Sequence, residues 1–259
     1  MIESNTSIRA GKVRGLDRGL RVLSLFTIQD RAWAVKEMSE ALDIPLSSTY
    51  RIVRTLEADG FLELADSSGS YRLGLRLLHL GFLVYSKLDV RQVALPIMQR
   101  LAEEVGETVV LMIPRRQYAV CVENIEGTYP IRPKSIAVGE RRHYNCGAVA
   151  LALLAYLPDE NREEIFKEPL PRLTEFTLTD VEKIGVRCDS IRETGVSYSK
   201  NEVFLGTAAV ASPVFDARGE VTAAVALTGV VERIVKLDET IRIAAQEISA
   251  GLGWAVLRS

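Results

Sequence analysis

Residues 34–60, AVKEMSEALDIPLSSTYRIVRTLEADG, decide how the chain is read. Val35, Met38 and Leu42 recur at three- and four-residue intervals with Lys36, Glu37 and Glu40 between them, the pattern of a helix that buries one side. Asp43, Ile44 and Pro45 interrupt it, because proline has no amide to donate and disfavours helical geometry in the residue before it. The helical period resumes at Thr49, Ile52, Val53 and Leu56, with Ser47 or its neighbour expected as the cap and Gly60 as the stop. Ser47, Ser48, Arg51, Arg54 and Thr55 fall on the opposite face. Two short helices joined by a tight turn, the second with an apolar back and a polar, basic front, suit the major groove of DNA. A helix there needs short donors and arginines toward bases and phosphates, and a brace behind. An ordinary helical subdomain with a solvated basic face would show the same pattern.

Upstream, residues 1–13 are polar and aperiodic, with Arg9, Lys12 and Arg14 near their end, so a frayed arm is expected. Leu16, Leu20, Leu23 and Phe26, flanked by Val22 and Leu25, predict a first helix ending near Thr27, followed by a loop at 29–31. Downstream, 61–64 reads as a strand, ADSSGS at 65–70 as a turn and 71–73 as a returning strand, which completes a winged helix-turn-helix. Residues 74–88 are apolar nearly all round, through Leu75, Leu77, Leu78, Leu80, Phe82, Leu83 and Val84. Such a helix must be buried on more than one side. At a domain junction it is expected to pack against a second chain as well as its own; the other reading is a core helix of one large domain.

From Val90 a second domain is expected. A helix around Pro96 ends at Gly106, followed by strands at 108–113 and 118–123 with Arg115 and Arg116 in the turn, and a further strand at 136–138. Residues 147–157, GAVALALLAYL, read as a buried helix, with further helices at 160–167 and 179–194. TAAVASPVF at 207–215 and VTAAVALT at 221–228 form a hairpin through DARGE, and a terminal helix covers 238–256. The fold class is therefore α+β: a winged helix-turn-helix at 1–74, a linker helix at 75–92, and a mixed sheet domain with stacked helices at 93–259.

Composition places the chain among ordinary globular proteins, with 259 residues, 47% hydrophobic and 25% charged. A disordered or fibrous protein is excluded. No apolar run reaches about 18 residues, and MIESNTSIRAGKVRG has no apolar core of a secretory signal. A cytoplasmic protein with no membrane partner is expected. Three scattered cysteines, Cys121, Cys146 and Cys188, form neither a disulfide framework nor a metal motif. A net charge of -2 speaks mildly against coating nucleic acid, although an average over two domains says little about one face.

Only two histidines exist, His79 and His143, and no metalloprotease, nucleophile-elbow, Walker or dinucleotide motif is found. A Cys146–His143 pair would lack a third, orienting group. No catalytic residue, metal or cofactor is assigned. Residues 145–148 instead suit a binding loop before a buried helix, where Gly147 admits a ligand close to the backbone; tight packing alone would also explain Gly147 and Ala148.

With these motifs in order, the chain resembles the IclR-type transcriptional regulators of bacteria over essentially its whole length. The resemblance lies in LDRGLRVLSLF from Leu16, LDIPLSSTYRIVRTLEADGFLE from Leu42, YRLG from Tyr71, LAEEVGETVVL from Leu101 and IRETGVSYSKNEVFLGTAAVASPVFDARGEV from Ile191. It implies a winged helix-turn-helix followed by a GAF-like effector domain, acting as a homodimer or dimer of dimers on palindromic double-stranded operator DNA. It places the recognition helix on residues 45–56, with Ser47, Ser48, Tyr50 and Arg51 at its usual contact positions, Leu46 where many members carry lysine, and Arg54 and Arg72 as further DNA candidates. It places the effector pocket on Cys146, Gly147, Ala148, Ser199, Thr207, Ala209, Ala226 and Thr228. Ser199, Ala209 and Ala226 stand where some members have aspartate, cysteine and serine, and Ala150 and Leu151 replace a usual glycine and lysine. Fewer polar groups imply a small organic acid larger or less polar than a two- or three-carbon keto acid, such as an aromatic or alicyclic carboxylate. The implied function is ligand-controlled transcription of catabolic or metabolic genes. The alternative is a metabolite-binding or redox-active GAF-like protein whose winged helix serves protein contact.

Overall fold

The computed structural model describes residues 13–27, 29–65, 69–85, 89–130, 132–133, 135–234 and 236–254. Arg9 and Lys12 of the expected arm, the middle of the wing turn (66–68), the end of the linker (86–88) and the end of the expected terminal helix lie outside them. The chain divides into two compact units, Met1–Lys87 and Leu88–Ser259.

The N-terminal unit runs α1 (Arg14–Leu23), β1 (Trp33–Ala34), α2 (Val35–Leu42), α3 (Leu46–Ala58), β2 (Leu62–Leu64), β3 (Ser70–Leu73) and α4 (Leu75–Tyr85). The turn between α2 and α3 is held at both ends. Asp43 adopts φ 53°, the Ile44 amide donates to Ser39 O at 3.1 Å, and the Ser39 hydroxyl donates to Ile44 O at 2.6 Å. Glu37 accepts the Ala34 amide at 2.8 Å and so fixes the start of α2. Val22, Val35, Met38, Leu42, Ile44, Val53, Leu62 and Tyr71 form the core.

Several expectations change here. Helix α1 ends at Leu23 rather than near Thr27, its last turn closed by the Ser24 hydroxyl on Leu20 O. It buries Val22 and leaves Leu16 and Leu20, one turn apart, exposed. Ser47 is not a cap: Pro45 occupies that place, and its carbonyl accepts the amides of Ser48 and Thr49 at 2.9 and 3.0 Å. Proline's fixed φ presets the entry into the helix without a side-chain acceptor. Strand β1 was not foreseen; it pairs with β3 through Trp33↔Tyr71 and Ala34↔Ser70, giving a three-stranded sheet of order β1-β3-β2. In α4, Leu75, Leu78, Leu80 and Leu83 are exposed, so it is not a core helix of its own unit.

The C-terminal unit contains α5 (Asp89–Val105), β4 (Thr108–Pro114), β5 (Ala119–Ile125), β6 (Arg141–Arg142), α6 (Ala148–Leu154), α7 (Asp159–Phe166), α8 (Val181–Thr194), β7 (Ser197–Lys200), β8 (Thr207–Phe215), β9 (Val221–Val230), α9 (Val231–Ile234) and α10 (Asp238–Gly251). Its antiparallel sheet has the order β6-β5-β4-β9-β8-β7. Strand alternation splits the apolar residues between two cores. Val109, Leu111, Val210, Val225 and Leu227 join α5 and α10 on one face. Val110, Met112, Ala211, Ala224 and Ala226 join α6 and α8 on the other. The expected strand at 136–138 is absent. There Gly139 and Glu140 bond the Cys121 backbone, and β6 supplies the edge strand of the sheet instead. Strand β7 and helix α9 add to the elements that the sequence predicts. No helix among the described residues is long and apolar enough to cross a membrane.

Candidate functional site

Helix α3 is braced by Thr49 and Val53, both fully buried. The Thr49 hydroxyl faces the Ile44 and Pro45 carbonyls at 3.4 and 3.3 Å, which ties the helix to the turn before it. Its outward face presents Ser47, Tyr50, Arg51 and Arg54, all exposed, with Ser48 half-buried. Leu46, at the position where the resemblance expects lysine, is exposed and apolar. The three arginines differ. Arg54 pairs with Glu57 at 3.0 Å, and Arg72 on β3 pairs across the wing with Glu63 at 2.8 Å. Arg51 has no ion-pair partner among the described residues, and with Ser48 it borders a groove against Leu16 and Arg18 of α1. Exposed pairs such as Arg54–Glu57 are weak, so these cations are available to phosphate, but each carries a carboxylate that weakens its attraction.

In the C-terminal unit the eight expected effector residues lie around one cavity on the α6 side of the sheet. Cys146, Gly147 and Ala148 form one wall, Ser199 on β7 and Thr207 on β8 another, and Ala209, Ala226 and Thr228 the floor. The floor is a consequence of register: Ala209 lies opposite Thr228, and Ala226 between Ala211 and Val110, so small side chains leave space where larger ones would fill it. Val110, Met112 and Ile136 make the remainder largely apolar. The free volume is about 70 Å³. One water needs about 10–15 Å³ and a cavity that takes benzene has about 150 Å³, so the space holds several waters and lies below that of a ring-sized ligand.

Two charged residues that the sequence did not single out also line this cavity, Arg142 and Glu202. Arg142 is half-buried and has no ion pair among the described residues. Glu202 is 5% exposed; Arg187 donates to its Oε1 at 2.9 Å, while its Oε2 is buried without a partner. Burial pushes the Glu202 carboxyl above the usual carboxylate range, with Arg187 opposing the shift.

The walls are held from behind by the segment 171–179. Asn145, fully buried, donates to Pro171 O and Leu178 O at 2.9 and 2.7 Å, so this member of the expected binding loop positions the wall and does not line it. The hydroxyls of Thr174 and Thr177 donate to Asn201 O and Glu202 O at 2.7 and 2.6 Å. Gly147 has φ 87°, and a Cβ there would meet Val203 Cγ2 at 2.9 Å, so the loop at 201–206 closes directly on the glycine.

A nucleophilic pair is not formed. The Cys146 thiol points to Asn145 Oδ1 at 3.4 Å, and His143 is exposed. Burial pushes Cys146 up to about 11, Arg142 opposing and Glu202 adding to the shift. Its thiolate fraction at neutral pH is on the order of 10⁻⁴, which leaves it a small buried thiol. His79 is exposed on α4.

Residues 82–250 match the family described as bacterial transcriptional regulator IclR C-terminal, and residues 15–66 match the IclR helix-turn-helix domain. The HTH-type transcriptional regulator KipR of Bacillus subtilis (strain 168) is 34% identical over 243 residues, covering 92% of this chain and 96% of that protein. The HTH-type transcriptional repressor AllR of Escherichia coli (strain K12) is 30% identical over 246 residues, covering 93% and 90%. Among solved structures, an IclR homolog from Microbacterium hydrocarbonoxydans complexed with 4-hydroxybenzoate aligns with TM-score 0.82 at 27% identity, covering 92% of this chain and 98% of that one. An IclR transcriptional regulator from Alicyclobacillus acidocaldarius aligns with TM-score 0.80 at 25% identity, covering 94% and 100%. A helix-turn-helix with an exposed basic face, joined in one chain to a sheet unit with a small lined cavity, is thus found with full-length relatives of one kind: the chain belongs to the IclR family of bacterial transcriptional regulators.

Proposed function

We propose that the protein controls transcription of catabolic or metabolic genes in response to a small organic acid that occupies the cavity of the C-terminal unit. The observation that carries this is Arg142, without an ion pair among the described residues, beside an otherwise largely apolar cavity, in a chain whose N-terminal unit is a DNA-binding helix-turn-helix. A guanidinium in such a setting suits a carboxylate, and apolar walls suit a ring or alkyl body. Aromatic and alicyclic carboxylates fit both demands. The Microbacterium homolog's 4-hydroxybenzoate belongs to that class and is among the first acids to try.

On DNA, Ser47, Ser48, Tyr50 and Arg51 of α3 are the proposed base-reading and phosphate contacts, with Arg54 and Arg72 adding charge. The active form is a homodimer or dimer of dimers on a palindromic operator, because half-sites about one turn of DNA apart, roughly 34–36 Å, require two recognition helices. The exposed leucines of α4 supply an apolar face for a second copy. Glutamate at both Leu80 and Leu83 should convert the sedimenting species to monomer, and an unchanged species would remove α4 from the interface. Acid binding acts by favouring one arrangement of the two recognition helices over another. Operator selection with purified protein, repeated with and without candidate acids, tests the whole reading: an enriched palindrome whose affinity responds to an acid supports it, and no enriched palindrome at moderate salt overturns it.

A further inference from the structure

We infer that the cavity is two-ended, and that the acid it takes carries a hydrogen-bond donor, a hydroxyl or N–H, on the side away from its carboxylate. This rests on the reading of the cavity as the effector site and adds a chemical class to it.

The donor and acceptor supply of the walls leads to this class. Among the described residues Arg142 is the one cation lining the cavity, and it borders an outer hollow as well, with Thr174 and Glu175, so it marks the solvent side. Glu202 is nearly fully buried and marks the inner side. One of its oxygens is held by Arg187, and the other, Oε2, is an acceptor without a donor. A buried acceptor is normally satisfied, and the neighbouring polar groups do not satisfy this one. The Cys146 thiol donates to Asn145. The Thr207 hydroxyl donates to Phe204 O at 2.7 Å, and that of Thr228 to Ala208 O at 3.5 Å. Cys146, Thr207 and Thr228 can accept from a ligand but have already committed their protons, whereas the Ser135 hydroxyl, which also lines the cavity, is buried without a partner and can donate or accept. Arg142 and Glu202 line the same small cavity, so a small molecule held there can meet both. A carboxylate on Arg142 and a hydroxyl or N–H on Glu202 Oε2 satisfy both ends. A second carboxylate would face Glu202 and be repelled.

Calorimetry on the full-length protein tests this with benzoate, 4-hydroxybenzoate, 4-aminobenzoate, terephthalate and 4-hydroxybenzamide, and with propionate against 3-hydroxypropionate as a shorter pair. At least one donor-bearing monoacid should bind about tenfold or more tighter than its donor-free partner, the range of a hydrogen bond to a charged group. Terephthalate and the amide should bind more weakly than 4-hydroxybenzoate. Glu202→Met, similar in length with only a weak thioether acceptor, should erase most of the preference for the donor. Glu202→Gln, which keeps a contact for Arg187, should reduce it and serves if the methionine variant melts early. Arg142→Met should weaken donor-bearing and donor-free acids alike, with Arg142→Lys partly restoring both. Equal affinity within every pair, or a preference that survives in both Glu202 variants, overturns the inference while leaving the effector site standing. If no acid binds, the effector reading itself fails and this inference fails with it.

Discussion

Arg51 on α3 and Arg142 on β6 are both arginines without an ion-pair partner among the described residues, but they stand in opposite surroundings. Arg51 is exposed on a helix face whose other cations are engaged: Arg54 with Glu57, and Arg72 of the wing with Glu63. Arg142 is half-buried beside apolar walls, and the nearby Arg187 is engaged with Glu202. Arg54, Arg72 and Arg187 thus hold carboxylates, whereas Arg51 and Arg142 are left open among the described residues. The surroundings then set what the open one can do. In water, one guanidinium is a weak and salt-screened attraction that matters when summed with others along a phosphate backbone. Against apolar walls, the same group competes with little solvent and can hold a single carboxylate.

The contrast can be broken or sharpened by substitution. The largest effect is expected at Gly147. A leucine there must adopt φ 87° and place its Cβ against Val203 Cγ2, so acid binding followed by calorimetry should disappear; normal binding would remove this loop from the cavity. Arg142→Met should cost about 2–5 kcal/mol of acid affinity, the usual loss when one partner of a desolvated charge pair is truncated, with little dependence on salt. A strong salt dependence would mean that Arg142 meets its ligand in solvent. Arg51→Ala should cost roughly 1–3 kcal/mol of operator affinity if it reads a base, with relaxed specificity at one position. Arg54→Ala and Arg72→Ala should each cost less than about 1 kcal/mol, as weakly acting cations already shared with carboxylates. Equal losses at all three, in titrations across a salt series, would show that the pairing with Glu57 and Glu63 does not persist on DNA.

The smallest effect concerns pH. Glu202 is shifted upward, chiefly by burial. A carboxyl whose folded value lies above its unfolded one contributes stability that is fully present below the unfolded value, about 4, and is lost as pH rises through the folded value. Glu202→Gln cannot titrate, so its Tm should gain on that of the natural protein as pH rises from about 4 through the folded value. A difference constant with pH would contradict the burial of this carboxyl.

How much the sequence reveals differs between the two regions for physical reasons. The helix-turn-helix is legible because its signals are local: a three-four period, Pro45, and Gly60. The β8–β9 hairpin is legible from its apolar runs and the DARGE turn. Strand β1 is not, since two residues become a strand only by pairing with Tyr71 and Ser70 far along the chain. Strand β7 is hidden for another reason: its inward residues are Ser197 and Ser199, and its outward ones Tyr198 and Lys200, so burial alternates while hydrophobicity does not. The same inversion conceals the charged residues of the cavity. Arg141 and Arg142 are adjacent charged residues of which only the first is exposed, and Glu202 is buried although it follows Asn201, at φ 61°, in a loop. The apolar and glycine positions of the cavity were accessible through the family resemblance. Arg142 and Glu202 required the fold.

The central claim is that an acid in the C-terminal cavity changes how the N-terminal helices hold DNA. The direct measurement is the dissociation constant of the full-length protein for its selected operator, at fixed salt, without acid and with an acid that calorimetry has shown to be bound at saturation. A change of about tenfold in either direction, equivalent to about 1.4 kcal/mol of coupling, is predicted. An operator affinity that is the same with the cavity empty and full would contradict it.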